Sequence, residues 1–189
     1  MTTIILEGPD NSGKTTFAKR LCEVSGAKYY HPGGAPADAQ VERQFLLEQQ
    51  LKADRGGPVV MDRVTSVSQQ VYNPDAERDA DRFRHLQLLL RGQFVFLVYC
   101  RPSNEHLSNT SNFTWRPEET EEHRQKIITR SFEWVQRYDD LMARVPCLHY
   151  DFQDIAAAEV LQTALIGALT EDGLWMEWLS TMIFKGRRA

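Results

Sequence analysis

Residues 8–15, which read G-P-D-N-S-G-K-T, have the types and spacing of a phosphate-binding loop. Gly8 and Gly13 permit backbone conformations that a side chain would obstruct, so successive amide groups can turn toward one anion. Lys14 adds a positive charge for the outer phosphates, and the Thr15 hydroxyl can ligate an accompanying Mg²⁺. A helix that begins here directs its positive end at the same anion. The predicted phosphate-binding residues are Gly8, Pro9, Asp10, Asn11, Ser12, Gly13, Lys14, Thr15 and Thr16.

The surrounding sequence predicts the elements that this loop requires. Apolar runs without strict alternation predict strands buried on both faces, at 4–6, 27–30, 58–61, 94–99 and 147–150. Helical patterns separate them at 15–24, 39–53, 77–91, around 117–144, and at 155–169. This alternation predicts a doubly wound α/β domain with a five-stranded parallel sheet, and ligands beyond the carboxyl ends of the strands.

A second chemical group follows the strand predicted at 58–61, where Asp62 is succeeded by Arg63. A carboxylate at this strand end could hold the water shell of Mg²⁺ or help to deprotonate an acceptor. The neighbouring guanidinium could bind an acceptor phosphate through two hydrogen bonds. The metal site predicted from the sequence therefore consists of Thr15 and Asp62.

The composition indicates one ordinary globular domain. The chain has 189 residues, of which 42% are hydrophobic, enough for one well-buried core, and we expect a single domain over 1–189. A net charge of −4 gives no broad attraction to nucleic acid. Three cysteines among apolar residues predict reduced thiols, and no leader or membrane-spanning segment is expected, so the predicted location is cytoplasmic. Residues 174–184 are apolar and predict a final helix that covers the sheet or a partner surface.

These motifs resemble the thymidylate kinase family, especially a branch encoded by bacterial viruses. The segment E-G-P-D-N-S-G-K-T-T at 7–16 is similar to that family's E-G-x-D-x-x-G-K-T-T loop. Asp62-Arg63, with Ser66, Ser68 and Tyr72 downstream, resembles its D-R-x-x-x-S-x-x-x-Y segment, although Tyr72 lies one place late. The resemblance implies the P-loop fold of nucleoside monophosphate kinases, ATP and Mg²⁺ as cofactors, host cytoplasm for a viral chain, and suggests a homodimer.

The resemblance also implies roles for individual residues. Asp10 would contact the acceptor sugar hydroxyl or position the metal and acceptor, Arg63 would hold the acceptor phosphate, and Asp62 would organise Mg²⁺. A lid over about 103–130 would carry Arg116, Arg124 and Arg130 toward the transferring phosphoryl group. The predicted catalytic residues are Lys14, Asp10, Asp62, Arg63, Arg124 and Arg130.

The acceptor side departs from the family pattern. His31 and the turn-rich residues 32–36 stand where the family often has an arginine, and His31 suits either a loop hydrogen bond or catalysis. Arg43 lies at about the expected distance before Asp62, but Ala39 occupies the position of its aromatic companion, so either Phe45 substitutes for it or the acceptor pocket differs. Tyr72 could stack on a base or pack in the core. The predicted acceptor-binding residues are Asp10, His31, Arg43, Arg63, Ser68 and Tyr72.

Three functional hypotheses follow. The first is ATP-dependent phosphorylation of dTMP or a related pyrimidine deoxynucleotide. In the second, the acceptor is the hydroxymethyl group of 5-hydroxymethyluracil within DNA, with the 31–36 loop serving a larger or flipped-out substrate. The third is an ATP-driven switch or binding module without small-molecule transfer, although no guanine-specific N-K-x-D motif occurs.

Overall fold

The five strands form one parallel sheet in the order β2-β3-β1-β4-β5. The computed structural model describes residues 2–55, 57–92, 94–109, 111, 113–115, 117, 119–171 and 173–185. The strands are β1 Thr3–Glu7, β2 Lys28–Tyr30, β3 Val59–Asp62, β4 Val95–Cys100 and β5 Leu148–Tyr150. The predicted α/β class, strand number and parallel arrangement are confirmed.

Helices connect the strands and cover both faces of the sheet. They are α1 Lys14–Ser25, α2 Ala39–Arg55, α3 Thr65–Tyr72, α4 Asp79–Leu89, α5 Asn104–Ser108, α6 Glu121–Met142, α7 Ile155–Leu169 and α8 Gly173–Lys185. The sequence patterns had not predicted α3, nor the short α5 within the expected lid. Among the described residues, no helix is long and apolar enough to cross a membrane.

Alternate residues of the central strands point into two separate cores. Ile5, Met61 and Leu97 face a core that they share with α3, α4 and α6. Ile4, Val60 and their neighbours face the opposite core, which α1, α7 and α8 complete. Because both faces of the sheet centre are covered, β1, β3 and β4 carry apolar residues on both faces. The edge strands β2 and β5 contain exposed residues, so the expected burial on both faces is wrong for them.

The order of the strands positions the site. β1 is paired with β3 on one side and with β4 on the other, and all three run in the same direction. Their carboxyl ends therefore meet at one edge of the sheet. Leu6 is in register with Asp62, which brings the loop after β1 beside the end of β3.

Candidate functional site

The loop between β1 and α1 contains three residues with positive φ angles, which turn its backbone sharply. Gly8, Asn11 and Gly13 have φ angles of 151°, 58° and 79°. A Cβ at Gly8 would overlap the carbonyl oxygen of Cys100 on β4, so the loop can lie against the sheet only with glycine there. Gly13 precedes the first turn of α1. These conformations allow the N–H groups of the loop, which Pro9 lacks, to turn toward one anion, as in backbone sites that bind phosphate.

Lys14 lies folded back across this loop. Its side chain is only 5% exposed, and Nζ donates hydrogen bonds to the Pro9 carbonyl oxygen at 2.5 Å and to Ser12 Oγ at 3.0 Å. Burial, followed by the nearby charge of Arg63, lowers the pKa of Lys14 from 10.5 to about 8. A buried ammonium group held by two neutral acceptors is a strong binding point for an anion.

Asp62 and Thr15 fit the site predicted for Mg²⁺. Thr15 Oγ1 donates to Asp62 Oδ2 at 2.7 Å, and the Tyr29 hydroxyl donates to the same oxygen at 2.9 Å. Asp62 is 1% exposed, and its Oδ1 atom is buried without a hydrogen-bond partner in the described part of the chain. A carboxyl oxygen buried in this way requires a cation or a donor.

A Mg²⁺ site needs few protein ligands. Mg²⁺ is usually bound by one or two protein oxygens together with substrate phosphates and water. Thr15 Oγ1 and Asp62 Oδ1 would therefore hold this ion beside the phosphates of a bound nucleotide.

A second cluster lies at the opposite side of the loop, around Asp10. Arg63 Nη2 is 2.7 Å from Asp10 Oδ1, and the Tyr72 hydroxyl donates to Asp10 Oδ2 at 3.2 Å. The Arg63 guanidinium also lies over the Tyr72 ring, 4.9 Å from its centroid. Burial opposes ionisation of Asp10, but the charges of Arg63 and Lys14 outweigh it and lower the pKa of this carboxyl. Asp10 is therefore ionised at neutral pH.

Behind Arg63 lies the buried carboxyl of Glu7, for which the sequence patterns predicted no role. Glu7 Oε1 accepts a hydrogen bond from the Val64 amide at 2.5 Å, and Oε2 accepts one from the Tyr138 hydroxyl at 3.2 Å. Arg63 Nη1 donates to the same Tyr138 hydroxyl at 3.4 Å. Burial raises the pKa of Glu7 to about 7, against the opposing charge of Arg63. The signal in the sequence was an ionisable residue directly after the apolar run at 4–6, and this residue ends β1.

One cavity of about 680 Å³ joins the two clusters. Its lining comes from residues 10–16, the 31–36 loop, the end of β3, and α3, with Thr114, Glu119 and His123 from the region expected to form a lid. Asn11 Oδ1 accepts a hydrogen bond from the Thr114 amide at 2.9 Å, which ties that region to the phosphate loop. The cavity is large enough for two small substrates that meet at the loop.

Aromatic residues line the side of the cavity next to α1. Phe152, which follows β5, lies against Gly13. The His106 ring packs edge-on against Phe152 with centroids 5.1 Å apart, and its buried Nε2 has no hydrogen-bond partner among the described residues. The sequence patterns did not identify His106 or Phe152 as candidates, because each stands alone in its segment.

Most of the predicted site residues line this cavity. They are Asp10, Asn11, Ser12, Gly13, Lys14, Thr15, Thr16, His31, Asp62, Arg63, Ser68 and Tyr72. Gly8 and Pro9 form the buried base of the loop. His31 Nδ1 accepts a hydrogen bond from the Gly33 amide at 3.0 Å, as expected of a residue that orders its own loop.

Arg43, Arg124 and Arg130 lie outside the lining. Arg43 is exposed on α2, and the Arg124 guanidinium lies 5.8 Å from the Trp115 ring. Arg130 Nε forms an ion pair with Glu133 at 2.9 Å. Arg116 lies outside the described residues, as do residues 110, 112 and 118 of the expected lid. The roles assigned to these arginines stay predictions.

Comparisons with known proteins identify solved structures with a similar fold. No family model matches the chain, and no curated protein sequence matches it. Among solved structures, it is similar to the YorR protein of Bacillus subtilis in complex with phosphorylated GDP, with a TM-score of 0.60 and 20% identity over 87% of this chain and 96% of that one. It is also similar to deoxyadenosine kinase from M. mycoides with bound dATP, with a TM-score of 0.50 and 13% identity over 87% and 99% of the two chains. The shared feature at this level of identity is the fold.

Proposed function

We propose that this protein is an ATP-dependent kinase that phosphorylates a pyrimidine deoxynucleotide, with dTMP as the expected acceptor. The observation that carries the proposal is the ion pair between Asp10 and Arg63, at 2.7 Å. Asp10 belongs to the phosphate loop, and Arg63 belongs to the strand end beside it. The Arg63 guanidinium, which suits an acceptor phosphate, therefore lies next to the expected position of the terminal phosphate of a bound triphosphate.

The donor half of the cavity suits a nucleoside triphosphate. The loop amides and Lys14 would hold the phosphates, and the helix α1 would direct its positive end toward them. A bound Mg²⁺ supplies neutralisation of the charge that develops on the phosphate oxygens. The flat faces of Phe152 and His106, at the same end of the cavity, would contact the base or sugar.

The acceptor half suits an anion with a sugar and a base. Arg63 can form two hydrogen bonds to a phosphate, because its guanidinium is planar and stays charged. Asp10 and the Tyr72 hydroxyl offer partners for a sugar hydroxyl, and Ser68, Gln69 and Asn73 on the α3 side offer polar groups to a base. The acceptor phosphate oxygen is already ionised at neutral pH, so the transfer requires positioning rather than a general base.

In the reaction, an oxygen of the acceptor phosphate attacks the terminal phosphorus of ATP. The bond from that phosphorus to the bridging oxygen breaks, and ADP leaves with the electron pair. Lys14 stabilises the charge on the donor side, and Arg63 holds the attacking phosphate in line. The ligands of the two similar structures, dATP and phosphorylated GDP, are also nucleotides.

The test is a transfer assay with γ-labelled ATP and Mg²⁺. The acceptors are the four deoxynucleoside monophosphates, the corresponding deoxynucleosides, and DNA that contains 5-hydroxymethyluracil. We expect label in dTDP. Label only in the DNA would favour the hydroxymethyl acceptor, and label only in a nucleoside would make the enzyme a nucleoside kinase. Release of labelled phosphate with no acceptor labelled would contradict the proposal and support an ATP-driven switch.

A further inference from the structure

Glu7 is fully buried at the carboxyl end of β1, and it is not part of the cavity lining. It therefore contacts neither the phosphates nor the acceptor in the proposed reaction. A buried carboxyl is unfavourable unless its oxygens have specific partners. Both Glu7 oxygens have such partners. One is the amide of Val64, which follows Arg63 along the chain, and the other is the Tyr138 hydroxyl, which contacts the Arg63 side chain.

The first partner is the backbone that follows Arg63. Glu7 Oε1 accepts the Val64 amide proton at 2.5 Å, and the Arg63 amide donates to the Leu6 carbonyl oxygen at 3.0 Å. Two successive amides at the end of β3 are thus bound by the last two residues of β1. The turn at this strand end is fixed on both sides of Arg63.

This turn has a conformation that arginine does not adopt readily. The φ angle of Arg63 is 77°, in the left-handed region that is sterically disfavoured for a residue with a Cβ. Such a conformation persists only where the surrounding contacts enforce it. The Glu7–Val64 hydrogen bond is a contact of this kind, because it fixes the peptide that directs the Arg63 side chain toward the cavity.

The second partner acts on the guanidinium itself. The Tyr138 hydroxyl on α6 donates to Glu7 Oε2 at 3.2 Å and accepts from Arg63 Nη1 at 3.4 Å. The Asp10 carboxylate binds the other end of the guanidinium at 2.7 Å. Arg63 is therefore held between a fixed hydroxyl and a carboxylate of the phosphate loop.

We propose that Glu7 is a positioning residue for the acceptor phosphate, and that it acts by fixing the backbone and the guanidinium of Arg63. The inference rests on the proposed function, since it takes Arg63 as the group that binds this phosphate. Glu7 needs no contact with either substrate to influence acceptor binding, because both of its hydrogen bonds determine where Arg63 points.

Three substitutions test this role. Glu7→Leu removes both hydrogen bonds at similar volume. Glu7→Gln, without the charge, keeps an acceptor for the Val64 amide and can pair with the Tyr138 hydroxyl only in the reverse direction, as a donor. Tyr138→Phe removes one hydroxyl. We expect Glu7→Leu to raise the KM for dTMP by about tenfold or more, which corresponds to the loss of one charge-assisted hydrogen bond. Glu7→Gln should stay within about threefold of the wild type. The dissociation constant for an ATP analogue with Mg²⁺ should change little in each.

The matched control is Tyr99→Phe. Tyr99 is buried and stacks on Tyr138 at 5.9 Å between centroids, but its hydroxyl donates to Asp139 instead of Glu7. We expect this control to leave the KM for dTMP unchanged, whereas Tyr138→Phe raises it. If Glu7→Leu does not fold, Tyr138→Phe with this control decides the question. Lower melting temperatures with an unchanged KM for dTMP would overturn the proposal and leave Glu7 a purely structural role.

A pH profile gives a second readout. The groups that face Glu7 are Arg63 at the end of β3, Lys14 on α1, the Tyr138 hydroxyl on α6 and the Cys100 thiol on β4. Since burial raises the pKa of Glu7 to about 7, we expect the wild-type KM for dTMP to vary with pH near 7. The dTMP phosphate also titrates, at about pH 6, so the readout is the ratio of the KM of Glu7→Gln to that of the wild type, which should change across pH 7. A ratio that does not depend on pH would argue against the proposal.

Crystal structures separate this proposal from the proposed function. If the wild type transfers no phosphoryl group to any acceptor, the proposed function fails, but the position of Arg63 can still be compared between the wild type and Glu7→Leu. We expect the variant to lose the left-handed conformation of Arg63 or its contact with Asp10. Retention of both in Glu7→Leu would overturn the positioning role, whatever the enzyme phosphorylates.

Discussion

Replacing Lys14 by methionine should stabilise the protein without ligand while it abolishes transfer. Burial and the charge of Arg63 lower the pKa of Lys14 from 10.5 to about 8, which corresponds to about 3 kcal/mol of unfavourable free energy for the charged form. Between pH 8 and 10.5 the unfolded chain retains this proton and the folded chain has lost it, so wild-type stability rises with pH. Below pH 8 both states are protonated, and the full cost is present.

The measurement is urea unfolding of the wild type and Lys14→Met at several pH values from 7 to 10.5. The free energy of unfolding of the variant, minus that of the wild type, should fall by about 3 kcal/mol over this range. Titrating groups that do not interact with Lys14 cancel in this difference. Lys19→Met is the control, because Lys19 is exposed on the same helix, and its difference from the wild type should not depend on pH. Parallel pH profiles for Lys14→Met and the wild type would refute the reasoning.

Three further substitutions test the other parts of the site. Arg63→Lys should raise the KM for dTMP by about tenfold or more with little change in the KM for ATP, since an ammonium group cannot bind Asp10 and a phosphate as a planar fork does. Steady-state kinetics would measure both constants, and equal increases in the two KM values would contradict the assignment. Asp62→Asn should raise the Mg²⁺ concentration for half-maximal activity by about tenfold or more, since an amide is a weaker ligand for Mg²⁺. An unchanged Mg²⁺ concentration for half-maximal activity would exclude Asp62 as a ligand of the ion. Gly8→Ala should cost about 2 kcal/mol or more in urea unfolding, because its Cβ would overlap a carbonyl oxygen of β4. Gly33→Ala, also at positive φ but with open space around it, should cost about 1 kcal/mol; equal costs would show that the overlap is relieved.

The sequence predicted the sheet because the strands are short apolar runs separated by amphipathic helices. It did not predict α3, Thr65–Tyr72, whose threonine, serine and valine residues favour helix only weakly. This helix depends on tertiary contacts. Val67 and Val71 pack in the core, and the side chain of Gln49 on α2 accepts the Thr65 amide proton at 3.0 Å.

The site was predictable where its residues are adjacent in the chain. The loop at 8–15 and the pair Asp62-Arg63 are short patterns, and their chemistry follows from residue type. The contact of Glu7 with Tyr138 joins positions 131 residues apart, and no local pattern indicates it. The same holds for His106 and Phe152, which meet only because β4 and β5 end at the same edge of the sheet.

The most direct test of the central claim is a crystal structure with a non-hydrolysable ATP analogue, Mg²⁺ and dTMP. We expect the triphosphate in the loop at 8–15 and the dTMP phosphate on Arg63. An oxygen of that phosphate should lie about 3–3.5 Å from the terminal phosphorus, in line with the bond that breaks. A triphosphate bound elsewhere, or dTMP bound away from Asp10 and Arg63, would contradict the account.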